Sequence, residues 1–333
     1  MRAIQVMIVF MLTLALSACG TSSTTTGGSA GSPAASNAAA TPATTGTDTG
    51  EKTIKHAMGT VTLKKKPERV VVLFNGMTDI TVHLGVKPVG SVQSWEEKPW
   101  YNYLRAKMDG VKDLGEETQP NVEAIIALKP DLIIGTKARH EKLYPQLSSI
   151  APTIITEEIF DWKANLKYAA DALYKKEEGD KILADWDKKV AEFKQKIGDK
   201  AGKTEISIVR FERDGSARFY ATGFAGTIFK ELGFARPKAQ ILEPGKAVLN
   251  LATKEQMSQL DGDYIFDITR LDPSDNSVEK SQNDWTSHAL WKNLKGVKNG
   301  KYFKVDTITW NLAGGSMAAQ TMLTDLYKYF DIQ

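Results

Sequence analysis

The chain has 333 residues, with 43 Lys and Arg against 40 Asp and Glu, a formal net charge of +3 at pH 7, and a single cysteine. The near-balance of charge without a basic block argues against a nucleic-acid partner. One cysteine excludes an internal disulfide or a thiolate metal cage, and past residue 19 no apolar run reaches the ~20 residues that span a bilayer.

Residues 1–18 begin with Arg2, continue with an apolar run from Val6 to Leu16 and end in Ser17 and Ala18 before Cys19. A positive start, a short apolar core and small residues at the cleavage point have the layout of a secretory signal. The tetrapeptide Leu16-Ser17-Ala18-Cys19 resembles a bacterial lipobox. That implies acylation of Cys19 and anchoring on the extracytoplasmic face of the cell membrane. Residues 19–50 are then almost wholly Thr, Ser, Ala, Gly and Pro, with Asp48 the only charge. Such a segment buries too little to offset its ordering entropy and is expected to be a disordered tether, about 30 Å end to end.

From residue 51 the pattern predicts an α/β body. Arg69 to Phe74 is a continuous β-branched run, the mark of a strand buried on both faces. Met77 to Leu84 suits a short helix stopped by Gly85, and Val89 to Val92 a second strand. Asn121 caps a helix to Leu128, Pro130 stops it, and a strand follows from Asp131 to Ile134. Tyr144 to Ile150 and Thr153 to Thr156 repeat the helix-then-strand step. Trp162 to about Gly198 carries Ile182, Leu183, Trp186, Val190, Phe193 and Ile197 at spacings of three and four, so it reads as one long amphipathic helix, or two joined near Gly179. Alternation resumes with Glu205 to Phe211, Gly226 to Leu232, Lys254 to Leu260, Tyr264 to Ile268 and Tyr302 to Val305. The expected organisation is an N-terminal α/β lobe over 51–161, a helical region over 162–200 and a C-terminal α/β lobe over 201–333. Each lobe is expected to hold a mostly parallel sheet covered on both faces.

The two halves echo one another. Asn121-Val-Glu-Ala-Ile-Ile-Ala-Leu-Lys-Pro-Asp131-Leu-Ile-Ile and Thr253-Lys-Glu-Gln-Met-Ser-Gln-Leu-Asp-Gly-Asp263-Tyr-Ile-Phe share one plan of helix, turn, Asp and strand. In each, a glutamate (Glu123, Glu255) stands in the first helical turn, eight residues before the Asp. A glutamate there is favoured by the helix dipole alone, but the matched pair points to two similar lobes.

These features resemble the helical-backbone, class III substrate-binding proteins of ABC importers for ferric siderophores, haem and cobalamin. The resemblance runs through Lys66-Pro67-Glu68-Arg69-Val70-Val71-Val72, Leu84-Gly85-Val86-Lys87-Pro88-Val89-Gly90, Leu128-Lys129-Pro130-Asp131-Leu132-Ile133-Ile134 and Leu294-Lys295-Gly296-Val297. Within that class, Thr118-Gln119-Pro120-Asn121-Val122-Glu123, Arg139-His140-Glu141-Lys142 and Trp310-Asn311-Leu312-Ala313-Gly314-Gly315 are most similar to Gram-positive lipoproteins for iron(III)-citrate or citrate-based siderophores. The resemblance implies two Rossmann-like lobes joined by one long α-helix, with the ligand cleft between them. It further implies a monomer that carries an iron(III) chelate as cargo, with no cofactor and no catalysis. Glu123 and Glu255 would dock on a membrane permease dimer served by a cytoplasmic ATPase.

Arginine is scarce, nine residues against 34 lysines, and Arg139, Arg210 and Arg270 fall at or just beyond predicted strand ends, where open α/β lobes bind ligands. Guanidinium groups pair bidentately with carboxylates and keep their charge, which suits an anionic chelate. Arg213 and Arg218 lie in the turn around Asp214-Gly215. Trp95, Trp162, Trp310 and Tyr220 are candidate aromatic contacts for the chelate, and His140 a candidate hydrogen-bond partner. Trp285 and Trp291 read as core. The four histidines show no metal spacing, so a preformed chelate is expected rather than a protein iron site. A hydrolase would need a Gly-x-Ser-x-Gly elbow, which is missing, and Gly223-Phe-Ala-Gly226 is too little for a nucleotide site. Haem, cobalamin or another siderophore type stands as the alternative cargo.

Overall fold

The computed structural model describes residues 50–332; the signal segment, Cys19 and nearly all of the tether lie outside the described residues. An antiparallel hairpin, β1 (Lys52–His56) and β2 (Gly59–Leu63), opens the body. The N-terminal sheet contains β3 (Val70–Val72), β4 (Gly90–Ser91), β5 (Lys112–Asp113), β8 (Leu132–Thr136) and β9 (Thr153–Thr156), with the two-stranded β6 (Gly115–Glu116) and β7 (Gln119–Pro120) beside it. Its order is β5-β4-β3-β8-β9 and every pairing is parallel, as the unbroken apolar runs require.

The C-terminal sheet departs from the mostly parallel expectation. It contains β10 (Ile206–Phe211), β11 (Ala217–Tyr220), β12 (Val248–Leu251), β13 (Tyr264–Asp267) and β14 (Tyr302–Lys304) in the order β12-β11-β10-β13-β14. Only β10–β13 and β13–β14 are parallel; β10–β11 and β11–β12 are antiparallel. The turn at Asp214-Gly215 reverses the chain between β10 and β11. Gly215 takes φ +85°, and the Asp214 carboxylate accepts the Ser216 N–H at 3.0 Å, closing a hairpin.

The echo between halves has a physical basis. Just before β8, the Asp131 carboxylate accepts the N–H groups of Glu68 and Arg69, both at 2.8 Å, at the entrance to the neighbouring β3. Just before β13, Asp263 does the same for the N–H of Glu205 at 2.8 Å, at the entrance to β10. In both lobes one aspartate satisfies backbone donors that the parallel ladder leaves open.

Between the sheets run two helices, Trp162–Ala172 and Lys176–Ile197. The break falls at residues 173–175, with Tyr174 at φ 55°, and not at Gly179. Gly179 lies inside the second helix because the pair pack closely there: a Cβ would sit 2.5 Å from that of Ala170. Ile182, Trp186, Val190, Phe193 and Ile197 form the buried face of that second helix.

The last helix, Ser316–Tyr329, packs on Asn75–His83 of the N-terminal lobe as well as on the long helix. Asp79, fully buried, caps it from a distance by accepting the N–H of Met317 at 2.8 Å and of Ala318 at 3.1 Å, and the Tyr103 hydroxyl donates to the same carboxylate at 2.7 Å. A Cβ on Gly315 would overlap this carboxylate, so glycine is required. Burial outweighs these hydrogen bonds and pushes the Asp79 carboxyl up to about 6. A raised folded pKa means that the carboxylate costs stability above pH 6 and that the cost is relieved as pH falls toward the unfolded value. Asp79→Asn should therefore gain on the wild type by about 1–2 kcal/mol between pH 5 and pH 8, read from urea unfolding at the two pH values.

Candidate functional site

The strand carboxyl ends of both sheets face one cavity of about 280 Å³. From the N-terminal lobe come Phe74 after β3, Trp95 after β4, Glu117 in the β6–β7 turn, Arg139 after β8, and Ile159 and Phe160 after β9. From the C-terminal lobe come Arg210 on β10, Tyr220 closing β11, Phe224, Arg270 after β13, and Asn311, Leu312 and Gly314 after β14. Each contributor except Phe224, on the helix after β11, sits at or past a strand end or in its connecting turn. For the parallel strands that is the geometry an open α/β lobe dictates, whereas Tyr220 reaches the cavity from the end of an antiparallel strand.

Each arginine meets a carboxylate through its Nε edge. Arg139 Nε donates to Glu117 Oε1 at 3.2 Å. Glu117 is buried and itself held: its Oε2 accepts the backbone N–H of Asn75 at 3.0 Å and the Asn75 side-chain amide at 2.8 Å. Arg210 Nε lies 3.0 Å from Glu212 Oε1, and Arg218, its cross-strand neighbour, places Nε 2.8 Å from the same oxygen. Arg210 Nη1 also donates to the Tyr220 hydroxyl at 3.4 Å. Arg270 Nε lies 2.9 Å from Glu96 Oε1, and its Nη2 donates to the Trp95 carbonyl at 2.6 Å. Three guanidinium groups with oriented forks and an apolar wall of Phe74, Trp95, Ile159, Phe160 and Phe224 can take an anion with an organic skeleton.

Thus Arg139, Arg210, Arg270, Trp95 and Tyr220 line the cavity, and three other candidates do not. Trp310 is buried in a π-helical turn, Ile308–Leu312; its indole N–H donates to Asp325 at 3.2 Å and its ring packs 4.9 Å from Phe266. Its neighbours Asn311 and Leu312 reach the cavity instead. Trp162 is buried edge-on against Trp186, ring centroids 5.0 Å apart, whereas Ile159 and Phe160 line the wall. His140 is also buried: Nδ1 accepts the Thr136 N–H at 3.1 Å and Nε2 donates to the Glu117 carbonyl at 2.9 Å. Burial holds its pKa down, so it stays neutral and supports Glu117 from behind.

Arg213 pairs with Asp272 and Asp275 on the surface, outside the cavity lining. Sequence reasoning missed the carboxylates Glu117 and Glu212 and the apolar wall of Phe74, Ile159, Phe160 and Phe224, since no motif marks them. The described residues hold no cluster of three or more His, Cys, Asp or Glu side chains disposed around a metal ion.

Glu123 and Glu255 lie away from the cavity, exposed in the first turns of Val122–Ala127 and Lys254–Leu260. Neither makes an ion pair among the described residues. A Thr253 hydrogen bond holds the Glu255 carboxyl below the usual range.

A family model described as periplasmic binding protein matches residues 70–309. The chain is 45% identical over 285 residues to YfiY of Bacillus subtilis, named a probable siderophore-binding lipoprotein, covering 84% of this chain and 87% of that one. It is 35% identical over 265 residues to the achromobactin-binding periplasmic protein of Dickeya dadantii, covering 79% and 86%. The crystal structure of Staphylococcus aureus SirA complexed with staphyloferrin B superposes with a TM-score of 0.80 at 42% identity, over 85% of this chain and 99% of that one. The two curated relatives are named for binding, and the protein is a binding protein rather than an enzyme.

Glu117 and Glu96 differ in anchorage, which sets a stability contrast. Glu117→Ala orphans the buried Asn75 donors and removes the Arg139 partner, and should cost about 2–4 kcal/mol. Glu96→Ala removes a partly solvated pair and should cost less than about 1 kcal/mol. Denaturant midpoints of the two variants measure the difference.

Proposed function

The chain belongs to the periplasmic binding protein family, and from that premise we propose that it captures a ferric chelate bearing carboxylates, iron(III)-citrate or a citrate-based siderophore, and delivers it to an ABC permease for iron uptake. The single observation that carries the cargo class is the convergence of Arg139, Arg210 and Arg270 on one cavity from two sheets. Carboxylates of a chelate match guanidinium forks in charge and shape. The apolar wall suits the ligand skeleton, and hard ferric iron keeps its oxygen donors from the chelator. No covalent step is involved.

The cell-surface part of the reading rests on sequence. Cys19 is the proposed lipid attachment, and the Ser/Thr/Ala-rich segment is the tether that lets the monomeric body reach its permease from the extracytoplasmic face of the membrane. Glu123 and Glu255 are the proposed docking contacts. Two exposed carboxylates on matching elements of the two lobes would orient the body over the pore. Exposed ion pairs add little affinity each, so orientation and rate of encounter are the expected gains.

Tryptophan fluorescence of the body, residues 51–333, titrated with iron(III)-citrate, ferric staphyloferrin B, a tris-catecholate chelate and haem, tests the cargo. Submicromolar quenching by a carboxylate chelate supports the reading, and quenching by haem alone would overturn it. Arg139→Ala or Arg210→Ala should weaken binding more than about tenfold. Glu123→Ala combined with Glu255→Ala should leave that affinity unchanged and cut iron uptake in cells; normal uptake would reject the docking role.

A further inference from the structure

The three arginine–glutamate pairs look alike in distance but not in construction. Arg139 and Glu117 belong to one lobe, and Glu117 is buried and held by two further donors on Asn75. Arg210 and Glu212 also belong to one lobe, and Glu212 is shared with Arg218. Arg270 and Glu96 come from opposite lobes, 174 positions apart in the sequence. The Glu96 carboxylate has no second cation partner among the described residues; its Oε1, like Glu212 Oε1, is buried with its arginine contact poorly aligned for a hydrogen bond.

Both ends of this contact are hydrogen-bonded within their own lobes. On the N-terminal side, Ser94 N–H donates to the Pro99 carbonyl at 2.9 Å, the Asn102 N–H to Glu97 at 2.6 Å and Arg105 to the Glu97 carbonyl at 2.8 Å. On the C-terminal side, the Thr269 N–H donates to Asp267 at 2.8 Å and the Phe211 N–H to Thr269 at 3.0 Å. Arg270 spans the gap to two partners, the Glu96 carboxylate through Nε and the Trp95 carbonyl through Nη2. Behind them lies a second chamber of about 140 Å³, lined by Gln93, Ser94, Lys98 and Glu116. It shares Trp95, Glu117 and Arg270 with the main cavity. Trp95, Glu117 and Arg270 face both chambers.

We propose that Arg270 and Glu96 form an interlobe latch that a ligand carboxylate displaces, so that Glu96 is a specificity-determining residue: the cavity admits chelates whose carboxylate takes Arg270 from it. This rests on the carboxylate-chelate reading above. With Nε on Glu96 and Nη2 on the Trp95 carbonyl, Arg270 offers its Nε edge to a ligand carboxylate only when Glu96 gives it up. A carboxylate entering beside Glu96 meets a like charge unless Glu96 leaves. A neutral chelate offers nothing in exchange and leaves the latch closed. Release joins the side chamber to the main cavity and lengthens the site along the Trp95 face.

Two measurements test this. Without ligand, hydrogen exchange of residues 93–99 should be faster by about threefold or more in Glu96→Gln and in Arg270→Gln than in the wild type; unchanged exchange in both variants overturns the latch. With ligand, Glu96→Gln should bind iron(III)-citrate or ferric staphyloferrin B about tenfold tighter than the wild type, and should bind a neutral ferric tris-hydroxamate as the wild type does. Equal or weaker binding of the carboxylate chelates by Glu96→Gln overturns displacement and makes Glu96 a support for Arg270. A wild type that binds no carboxylate chelate rejects the functional reading and with it displacement, while the exchange experiment still decides whether the lobes are latched.

Discussion

Like charges must be gathered in this cavity, and carboxylates placed beside them allow it. Arg139, Arg210 and Arg270 would repel one another around about 280 Å³ of space if each stood alone. Glu117, Glu212 and Glu96 meet them at the Nε edge, which lowers the repulsion and fixes each fork. Much of the surrounding construction serves those three carboxylates. Asn75 and the neutral His140 secure Glu117, the β10–β11 hairpin brings Arg218 to Glu212, and the loop around Trp95 carries Glu96 to the opposite lobe.

The relation of the lobes is constrained as strongly. A 22-residue helix connects them covalently, and the last helix ties them a second time through the cap that Asp79 supplies. A buried carboxylate on two backbone N–H groups tolerates little displacement. This favours small rearrangements at the cleft over wide lobe rotation, and a side-chain latch is the kind of movable part that such a frame permits. Gly76 and Gly315 mark the same junction, since a Cβ on Gly76 would approach the Gly314 carbonyl to 2.8 Å.

Several features were legible in the chain for plain physical reasons. The all-parallel N-terminal sheet was legible because strands buried on both faces must be apolar without alternation, as Val70 to Phe74 and Leu132 to Ile134 are. The paired aspartates were legible because the same donors open at the entrance to a parallel strand in each lobe. Arg139, Arg210 and Arg270 were legible because strand ends define the crevice in this architecture. Trp310, Trp162 and His140 were misread for one shared reason. Position after a strand or at a helix start places a residue near the cleft, but the rotamer decides which way it faces, and large rings find their partners in the core.

Sequence alone determined the α/β class, the paired lobes and the placement of the scarce arginines at strand ends, because periodicity, capping and charge are local properties. Tertiary structure alone decided which side chains meet. Glu117 could not be seen as the anchor of Arg139, nor Glu96 as the partner of Arg270 across 174 positions, nor Asp79 as the cap of a helix that begins at Ser316. Those pairings depend on how two sheets and their helices pack. Contacts between residues so far apart in the chain are set by the whole set of buried surfaces rather than by any segment within it.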